Sequence, residues 1–563
     1  MKKYSILSFF TLVLLMIVVR LCYFTNDSKN GYNATTYDAL GYYMYSPAIY
    51  IHHDVKKLAW FPEMDSTYNM SGGLFYQGMQ LENGDFTFKY LGGVSIMQLP
   101  FFAIGHVIAS FSEAPSDGFS WPYQYSIMWG AIFWCALGLW ILRKVLLKYY
   151  SETITALTLL LIGLCTNWIQ YVSIDGAQSH AHIFPLYCFV LYWTMKWHET
   201  PRWKYALFIG LTIGLATISR PTELIMFFIP LLWSLEKNAS LKTKWQLFKQ
   251  YKSHLYLALL GGFLGMLPQF IYWKYTTGSW VYDVGSKWTF ANPWWRVLIG
   301  FEKGWFIYTP ITIFMVLGLF FMKGKPFRKA VLTFCLLNIW IVISWFDWRY
   351  GGTYSSRAMV QSYPVFALGF AALLERIFVR KWKLAVLFVG AWLGFVNLFQ
   401  IWQYNRTILH YDHMNAGYYK AIFLDSNPAP LDYSLLDTDE LMSENRPVVM
   451  GTERKEKELI LGAGSYPVFT GSRIYYRWLV TEIEFEAEYG VTDGIIHVAS
   501  FEKGKLQKEK LFRLAVPGSA NGKKMTYINH FSLEKDCDSC AVSLDTWNNV
   551  KFKNFKSTVT GHH

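Results

Sequence analysis

Charge is what this chain has least of. Asp, Glu, Lys and Arg make up 16% of its 563 residues, where a soluble protein carries about 25%. The apolar runs hold almost no ionisable residue at mid-length, although an ion or proton path through a bilayer needs them there. Cysteine is also scarce, seven in all, and only Cys537 and Cys540 form a C-x-x-C. Four zinc ligands would need a second pair. In an oxidising compartment the expected state of that pair is a tight disulfide. Cys22, Cys135, Cys165, Cys188 and Cys335 lie in apolar runs and read as small buried hydrophobes. No repeat or low-complexity segment occurs. These shortages exclude a disordered chain, a disulfide-stapled mini-domain and an ordinary soluble enzyme.

What is abundant is apolar and aromatic surface: 53% hydrophobic residues and 19% aromatics, with 25 Trp, 38 Tyr and 43 Phe. A membrane helix needs about 20 mostly apolar residues. Candidate spans are 4–24, 121–147, 153–172, 181–197, 203–219, 222–235, 255–275, 305–322, 330–345, 358–378 and 384–403, about eleven in all. The first lacks a cleavage site and reads as a retained anchor. The segment 92–110 is apolar too, but counting it as a span spoils the charge alternation. Without it, inside loops hold 21 Lys and Arg and short outside loops hold 6, a strong positive-inside bias. Segment 92–110 then reads as an interfacial or re-entrant helix on the outer face. The net charge of +13 becomes largely a topology signal, and nucleic acid is not a predicted partner. The N-terminus is placed inside and the C-terminus outside.

The architecture predicted is therefore a mainly α membrane protein. Residues 1–403 form a polytopic domain with a large first outer loop, 25–90. Residues 404–563 form an extracytoplasmic linker and a small antiparallel β-sandwich, because the tail alternates with period two between Gly and Asp turns. Tyr475, Tyr476, Trp478 and Trp547 could stack on sugars or fill its core.

Unusual polar residues collect at the outer ends of helices. Asp38, followed by Gly41, Tyr42 and Tyr43, sits just beyond the first span. It could take a proton from an acceptor hydroxyl, or merely cap a short helix. His52, His53 and Asp54 are a poor metal set, because adjacent His side chains rarely face one ion. Lys89 opens the surface-dipping helix, where an ammonium could meet a lipid phosphate or simply reach headgroups. Asp175, His180 and His182 lie at an outer junction; His180 suits a hydrogen-bonding role at a cavity mouth, or is a satisfied structural histidine. Arg220 in SRPTE and Arg349 and Arg357 in WRYGGTYSSR stand at outer helix ends. A guanidinium fork binds phosphate oxygens bidentately, but each could instead pair with Asp347 or a headgroup. The aromatic loop around Tyr308 could form an interface belt or grip a sugar or isoprenoid.

Taken in order, Asp38 with GYYMYSP, KYLGG…LPFF from Lys89, DGFSWPYQ from Asp117, SHAHIF from Ser179, SRPTE from Ser219, GWFIYTP from Gly304 and WRYGGTYSSR from Trp348 resemble the GT-C class of polytopic glycosyltransferases. Lipid A aminoarabinose transferases and protein O-mannosyltransferases belong to that class, as does a bacterial branch known only as membrane glycosyltransferases. The resemblance covers roughly residues 1–403. It implies a catalytic Asp at Asp38 and donor-phosphate contacts from Lys89 and Arg357, with Arg220 and Arg349 as further cations. Tyr42, Tyr43, His180 and Tyr308 would line the substrate cavity. It also implies a polyprenyl-phosphate sugar as donor, a glycan, lipid or protein as acceptor, membrane lipids as surroundings, and the outer face of a bacterial cytoplasmic membrane. Ala39 follows Asp38 where many members have a second acid. No metal ligands are therefore assigned, and a divalent ion is the one cofactor left open, with Asp54, Glu63 or Asp65 as substitutes. A flippase for lipid-linked sugars, a ligase using lipid-diphosphate glycans and a non-enzymatic receptor are the competing readings.

Overall fold

The computed structural model describes residues 3–23, 34–235 and 241–563, apart from 291, 413, 438–439, 441, 443–445, 473, 487–493, 515–521 and 548. Residues 25–33 of the first outer loop and Lys237 of an inside loop thus lie outside the described residues. The chain divides into two compact units. One comprises 1–298, 305–350 and 355–398; the other comprises 299–304, 351–354 and 399–563.

The first unit is helical. Among the described residues, six helices are long and apolar enough to cross a membrane: Tyr4–Cys22, Gly93–Ser110, Trp121–Tyr149, Lys252–Thr277, Arg357–Ile377 and Lys383–Asn405. Gly93–Ser110 is one of them by length and composition, although the charge pattern favoured an interfacial role. Of the other expected spans, 181–197 is an unbroken 21-residue helix, Ser179–Glu199, 203–219 and 330–345 form the shorter helices Trp203–Thr217 and Arg328–Ser344, and the rest are interrupted. Residues 222–235 form a 3-10 turn, Pro221–Phe227, and then Phe228–Leu232. Residues 305–322 divide into Trp305–Tyr308 and Ile311–Gly318 on either side of Pro310, because proline supplies no N–H to continue the ladder. Residues 153–172 form Glu152–Cys165, break at Thr166, and resume as a π turn over Gln170–Ile174. Interrupted backbone at membrane depth survives only where protein groups satisfy it. Here Asn397 Nδ2 donates to the Leu164 and Thr166 carbonyls, both at 2.8 Å.

Helix packing relies on small residues, as expected where lipid is as apolar as the side chains. Helices Trp203–Thr217 and Lys252–Thr277 approach so closely that a Cβ on Gly210 would lie 1.9 Å from the Ala258 carbonyl oxygen. Across the same contact, a Cβ on Gly262 would meet nothing nearer than 3.8 Å. Of the cysteines expected to be buried, Cys22 is exposed at the end of the first helix, whereas Cys135, Cys165, Cys188 and Cys335 are buried.

Among the described residues, the second unit carries eight strands in two four-stranded antiparallel sheets. One has the order Val448–Leu461, Val550–His562, Trp478–Glu486, Lys524–Ser532; the other has Gly464–Ser472, Ser539–Thr546, Gly494–Glu502, Lys505–Arg513. Inward residues alternate along Trp478–Glu486 and Ser539–Thr546, as period-two patterning requires. Tyr476 is buried, whereas Tyr475 and Trp547 are exposed at 72% and 62%, so the four candidate aromatics do not act as one group. Cys537 and Cys540 are unbonded thiols, unlike the expected disulfide. Cys540 Sγ lies 3.3 Å from the Tyr476 hydroxyl, and Cys537 Sγ donates to the Ser539 carbonyl.

The helix contact gives a paired test. Gly210→Ala should lower the thermal midpoint in detergent, because overpacking against backbone costs about 1–3 kcal/mol. Gly262→Ala should leave the midpoint within about 0.5 kcal/mol equivalent. Equal behaviour of the two variants would refute the close approach.

Candidate functional site

Asp38 begins the short helix Asp38–Tyr43, yet it caps nothing. The Asp38 partners are all side chains: Arg357 donates to Oδ2, and the hydroxyls of Tyr76 and Tyr90 donate to Oδ1 at 2.9 and 2.5 Å. The helix-cap alternative is thereby set aside. Local backbone explains how the carboxylate reaches inward. The preceding Tyr37 takes φ 50°, a strained value for a residue with a Cβ. It is held there by its N–H to the Met70 carbonyl and by Gln77 Nε2 on its own carbonyl. Just upstream, Gln124 Oε1 accepts from the N–H groups of Ala34 and Thr35 at 2.8 and 3.1 Å. This glutamine closes the DGFSWPYQ motif. Gly41 is needed for a separate reason: a Cβ there would lie 2.1 Å from the Tyr90 ring. Its absence lets Tyr90 pack close enough to reach Asp38.

Arg357 comes from a 3-10 turn, Arg357–Ser362, at the start of the helix Tyr363–Ile377. Its Nη1 donates to Gln178 Oε1 at 2.9 Å while Nη2 serves Asp38. The Asp38 side chain is 23% exposed and that of Arg357 10%. Burial pushes the Asp38 carboxyl up, but the Arg357 charge and the Tyr90 and Tyr76 hydroxyls outweigh it and hold its pKa below the ordinary aspartate value. Burial and the Asp38 charge push the Tyr76 and Tyr90 phenols upward, so both remain donors at neutral pH.

A second cation stands beside this pair. Arg220 precedes the 3-10 turn Pro221–Phe227 and lies over the Tyr350 ring at 5.7 Å. Among the described residues its guanidinium has no hydrogen-bond or ion-pair acceptor. The charges of Arg220 and Arg357 both reach Tyr42, whose ring packs edge-on against Tyr90. The charges of Arg220, Arg357 and Asp38 all reach His180, whose Nδ1 lies 2.6 Å from Gln361 Oε1. Behind them, Glu223 accepts from Tyr187, from Gln361 Nε2 at 3.1 Å and from Thr222 at 3.3 Å.

The structure therefore brings Asp38, Arg357, Arg220, Tyr42 and His180 together. It does not bring every candidate into contact with them. Lys89 is half-buried, and among the described residues its ammonium has no partner; its neighbour Tyr90 is the one that touches Asp38. Arg349 lies over Trp348 at 4.6 Å. Tyr43 is a core residue: its hydroxyl donates to the Gly118 carbonyl and its ring packs on Phe102 and Phe119. Tyr308 is buried in the four-residue turn Trp305–Tyr308. Sequence reasoning missed Tyr76, Gln178, Gln361 and Glu223 as members of the site. Glu223 lies inside SRPTE, so the motif pointed to it, whereas no local pattern marks Tyr76.

The donor set does not suit a divalent ion. Among the described residues no group of three His, Cys, Asp or Glu could hold one, and both Asp38 oxygens already accept from protein donors. Asp54 accepts from the N–H groups of Lys56, Lys57 and Ala59, and Asp65 accepts from Ser71. His52 and His53 bond to the carbonyls of Asp117 and Ile49.

No protein-family model matches the sequence, and no curated protein sequence matches it. Solved structures with a similar chain path include an archaeal oligosaccharyltransferase, AglB from Archaeoglobus fulgidus, in complex with an inhibitory peptide and a dolichol-phosphate. That alignment has 11% identity and a TM-score of 0.43 and covers 74% of this chain and 57% of that one. The apo form of the A. fulgidus enzyme aligns at 12% identity and a TM-score of 0.44, over 79% and 62% of the two chains. The arabinosyltransferase EmbB from Mycobacterium smegmatis aligns at 11% and 0.32, over 82% and 59%. The chain thus spans about three-fifths of the length of these structures. With TM-scores below 0.5, these are likenesses of chain path alone.

The charge balance at Asp38 is testable. Because its folded pKa is depressed, the ion pair stabilises the fold at neutral pH and that contribution is lost only as pH falls below about 4. In Arg357→Gln the chief lowering influence is gone and burial prevails. Asp38 should then titrate above about 3.9. Carboxyl 13C NMR of aspartate-labelled protein, with Asp38→Asn as the assignment control, reads this directly. A titration still below the ordinary value would contradict the balance described.

Proposed function

We propose that this chain is a membrane glycosyltransferase that moves a sugar from a polyprenyl-phosphate donor to an acceptor hydroxyl at the outer membrane surface. The observation that carries the reading is the pairing of one carboxylate, Asp38, with the Arg357 guanidinium, in a cluster that also holds Arg220, which has no protein acceptor among the described residues. The positive-inside bias supports the outward placement.

The acceptor oxygen attacks the anomeric carbon, its proton passes to Asp38, and the bond from that carbon to the phosphate oxygen breaks. The leaving group changes from a phosphodiester to a phosphate monoester and gains negative charge. Arg220 and Arg357 stand where that charge develops. As the site stands, Asp38 is a weak base because Arg357 holds it. A phosphate arriving at Arg220 competes for Arg357 as well, since a guanidinium offers five donors. Drawing Arg357 toward phosphate releases Asp38 and raises its basicity as the donor binds. Attack opposite the leaving group predicts inversion at the anomeric carbon. Lys89 is assigned to the donor phosphate on the resemblance and its unpartnered ammonium.

The test uses purified protein in detergent with a panel of farnesyl-phosphate-linked hexoses and pentoses, following labelled sugar released to acceptor or water. Asp38→Asn should abolish turnover by about 10² or more while the protein stays folded. Arg220→Ala should chiefly raise the donor concentration needed for half-saturation. Turnover in detergent separates a transferase from a flippase, which needs two compartments. Full activity of Asp38→Asn would end the proposal.

A further inference from the structure

The group facing the two guanidiniums is short of acceptor atoms. Arg220 and Arg357 only donate, and both Asp38 oxygens already receive protein donors. A sugar held between them would have hydroxyl protons with few places to go. Besides the phenol oxygens, His180 can supply an acceptor nitrogen in the cluster, and the groups behind it decide whether it does.

His180 is the second residue of the helix Ser179–Glu199 and is 2% exposed. Its Nδ1 is 2.6 Å from Gln361 Oε1, and among the described residues no protein group bonds its Nε2. Which ring nitrogen carries the proton follows from the chain of partners behind it. Glu223 receives donors from Tyr187 and Thr222; its carboxylate acts only as an acceptor, so Gln361 turns its amide nitrogen toward it, at 3.1 Å. The amide oxygen of Gln361 is then the atom left facing His180, and an oxygen there demands N–H at Nδ1.

The placement of this relay reinforces the argument. Gln361 is four residues beyond Arg357 in one 3-10 turn, and Glu223 three beyond Arg220 at another. The two turns that deliver the cations are the same two that orient the histidine. We propose that Glu223 and Gln361 are positioning residues that lock His180 as the neutral Nδ1–H tautomer, so that Nε2 accepts a hydrogen bond from a hydroxyl of the donor sugar. The sugar's part rests on the transferase reading; the tautomer does not.

Two measurements on the full chain in detergent micelles test it. The first is 15N NMR of histidine-labelled protein at pH 7, with the His180 resonances assigned by their loss in His180→Gln. The expected result is one neutral ring protonated at Nδ1 in the wild type, and a shift of proton to Nε2 in Gln361→Leu. A wild-type ring protonated at Nε2, or an imidazolium, overturns the proposal. An unchanged tautomer in Gln361→Leu does so as well. The second is kinetics with the farnesyl-phosphate sugar panel. His180→Phe should raise the donor KM by about 3–10-fold, the worth of one neutral hydrogen bond. His180→Gln, which keeps an acceptor oxygen, should recover most of it. Equal KM values for the two variants refute the acceptor role. A wild type that transfers no sugar refutes the sugar's part and leaves the tautomer to be decided by the NMR.

Discussion

A carboxylate drawn in among tyrosines, away from most of the solvent, must be met by a cation, and in this protein the cation comes from more than 300 residues away. The Asp38–Arg357 pair joins the first loop to the turn before a late helix. Partly buried pairs of this kind add little net stability, but breaking one leaves an uncompensated charge. The pair therefore acts mainly as a constraint on geometry. Much of the local backbone serves that constraint: the strained Tyr37, the Gln124 clasp on Thr35, and the Gly41 gap that admits the Tyr90 ring.

The same constraint explains why the site lies where helices are interrupted. A continuous helix bonds all its own backbone groups and offers a ligand only side chains. Breaks at Thr166, Pro221 and Pro310 and the 3-10 turn before Tyr363 place polar chain ends in the helical unit, each needing a partner. Asn167 takes two of these duties, donating to the Ser356 carbonyl and accepting from the Tyr363 hydroxyl at 2.6 Å. Arg220, Arg357, Gln361 and Glu223 all sit on such short turns rather than in mid-helix. The shortage of charge inside apolar runs and the gathering of charge at their ends are one feature seen from two sides.

This also marks what could be read from the residues alone. Long apolar runs, the charge asymmetry of the loops and the alternation of the tail each depend on local pattern, so the helical unit and the antiparallel strands were legible. So were Asp38, Arg220 and Arg357, because charged residues next to apolar runs are conspicuous. Interruptions within the runs were less so: Pro310 is visible, but nothing in 153–172 announces the π turn. Tyr76 and Gln178 could not be found, since each joins the site through contacts set by tertiary packing. Lys89 and Tyr90 show the limit of resolution. The right segment was identified, and the residue that touches Asp38 is the one beside the lysine.

The two arginines are not equivalent, and the difference gives the site a direction. Arg357 is engaged at both ends of its fork, by Gln178 and by Asp38. Arg220 has Tyr350 under its face and, among the described residues, no acceptor at its donors. An incoming anion meets the open guanidinium at no cost in protein hydrogen bonds, whereas recruiting Arg357 means displacing Asp38. In the proposed transfer, binding at Arg220 therefore comes first, and each increment of charge that the anion offers Arg357 weakens the hold on Asp38. On that proposal the base becomes available in proportion to how well the leaving group is held, an order that rests on the hydrogen-bond partners of two side chains.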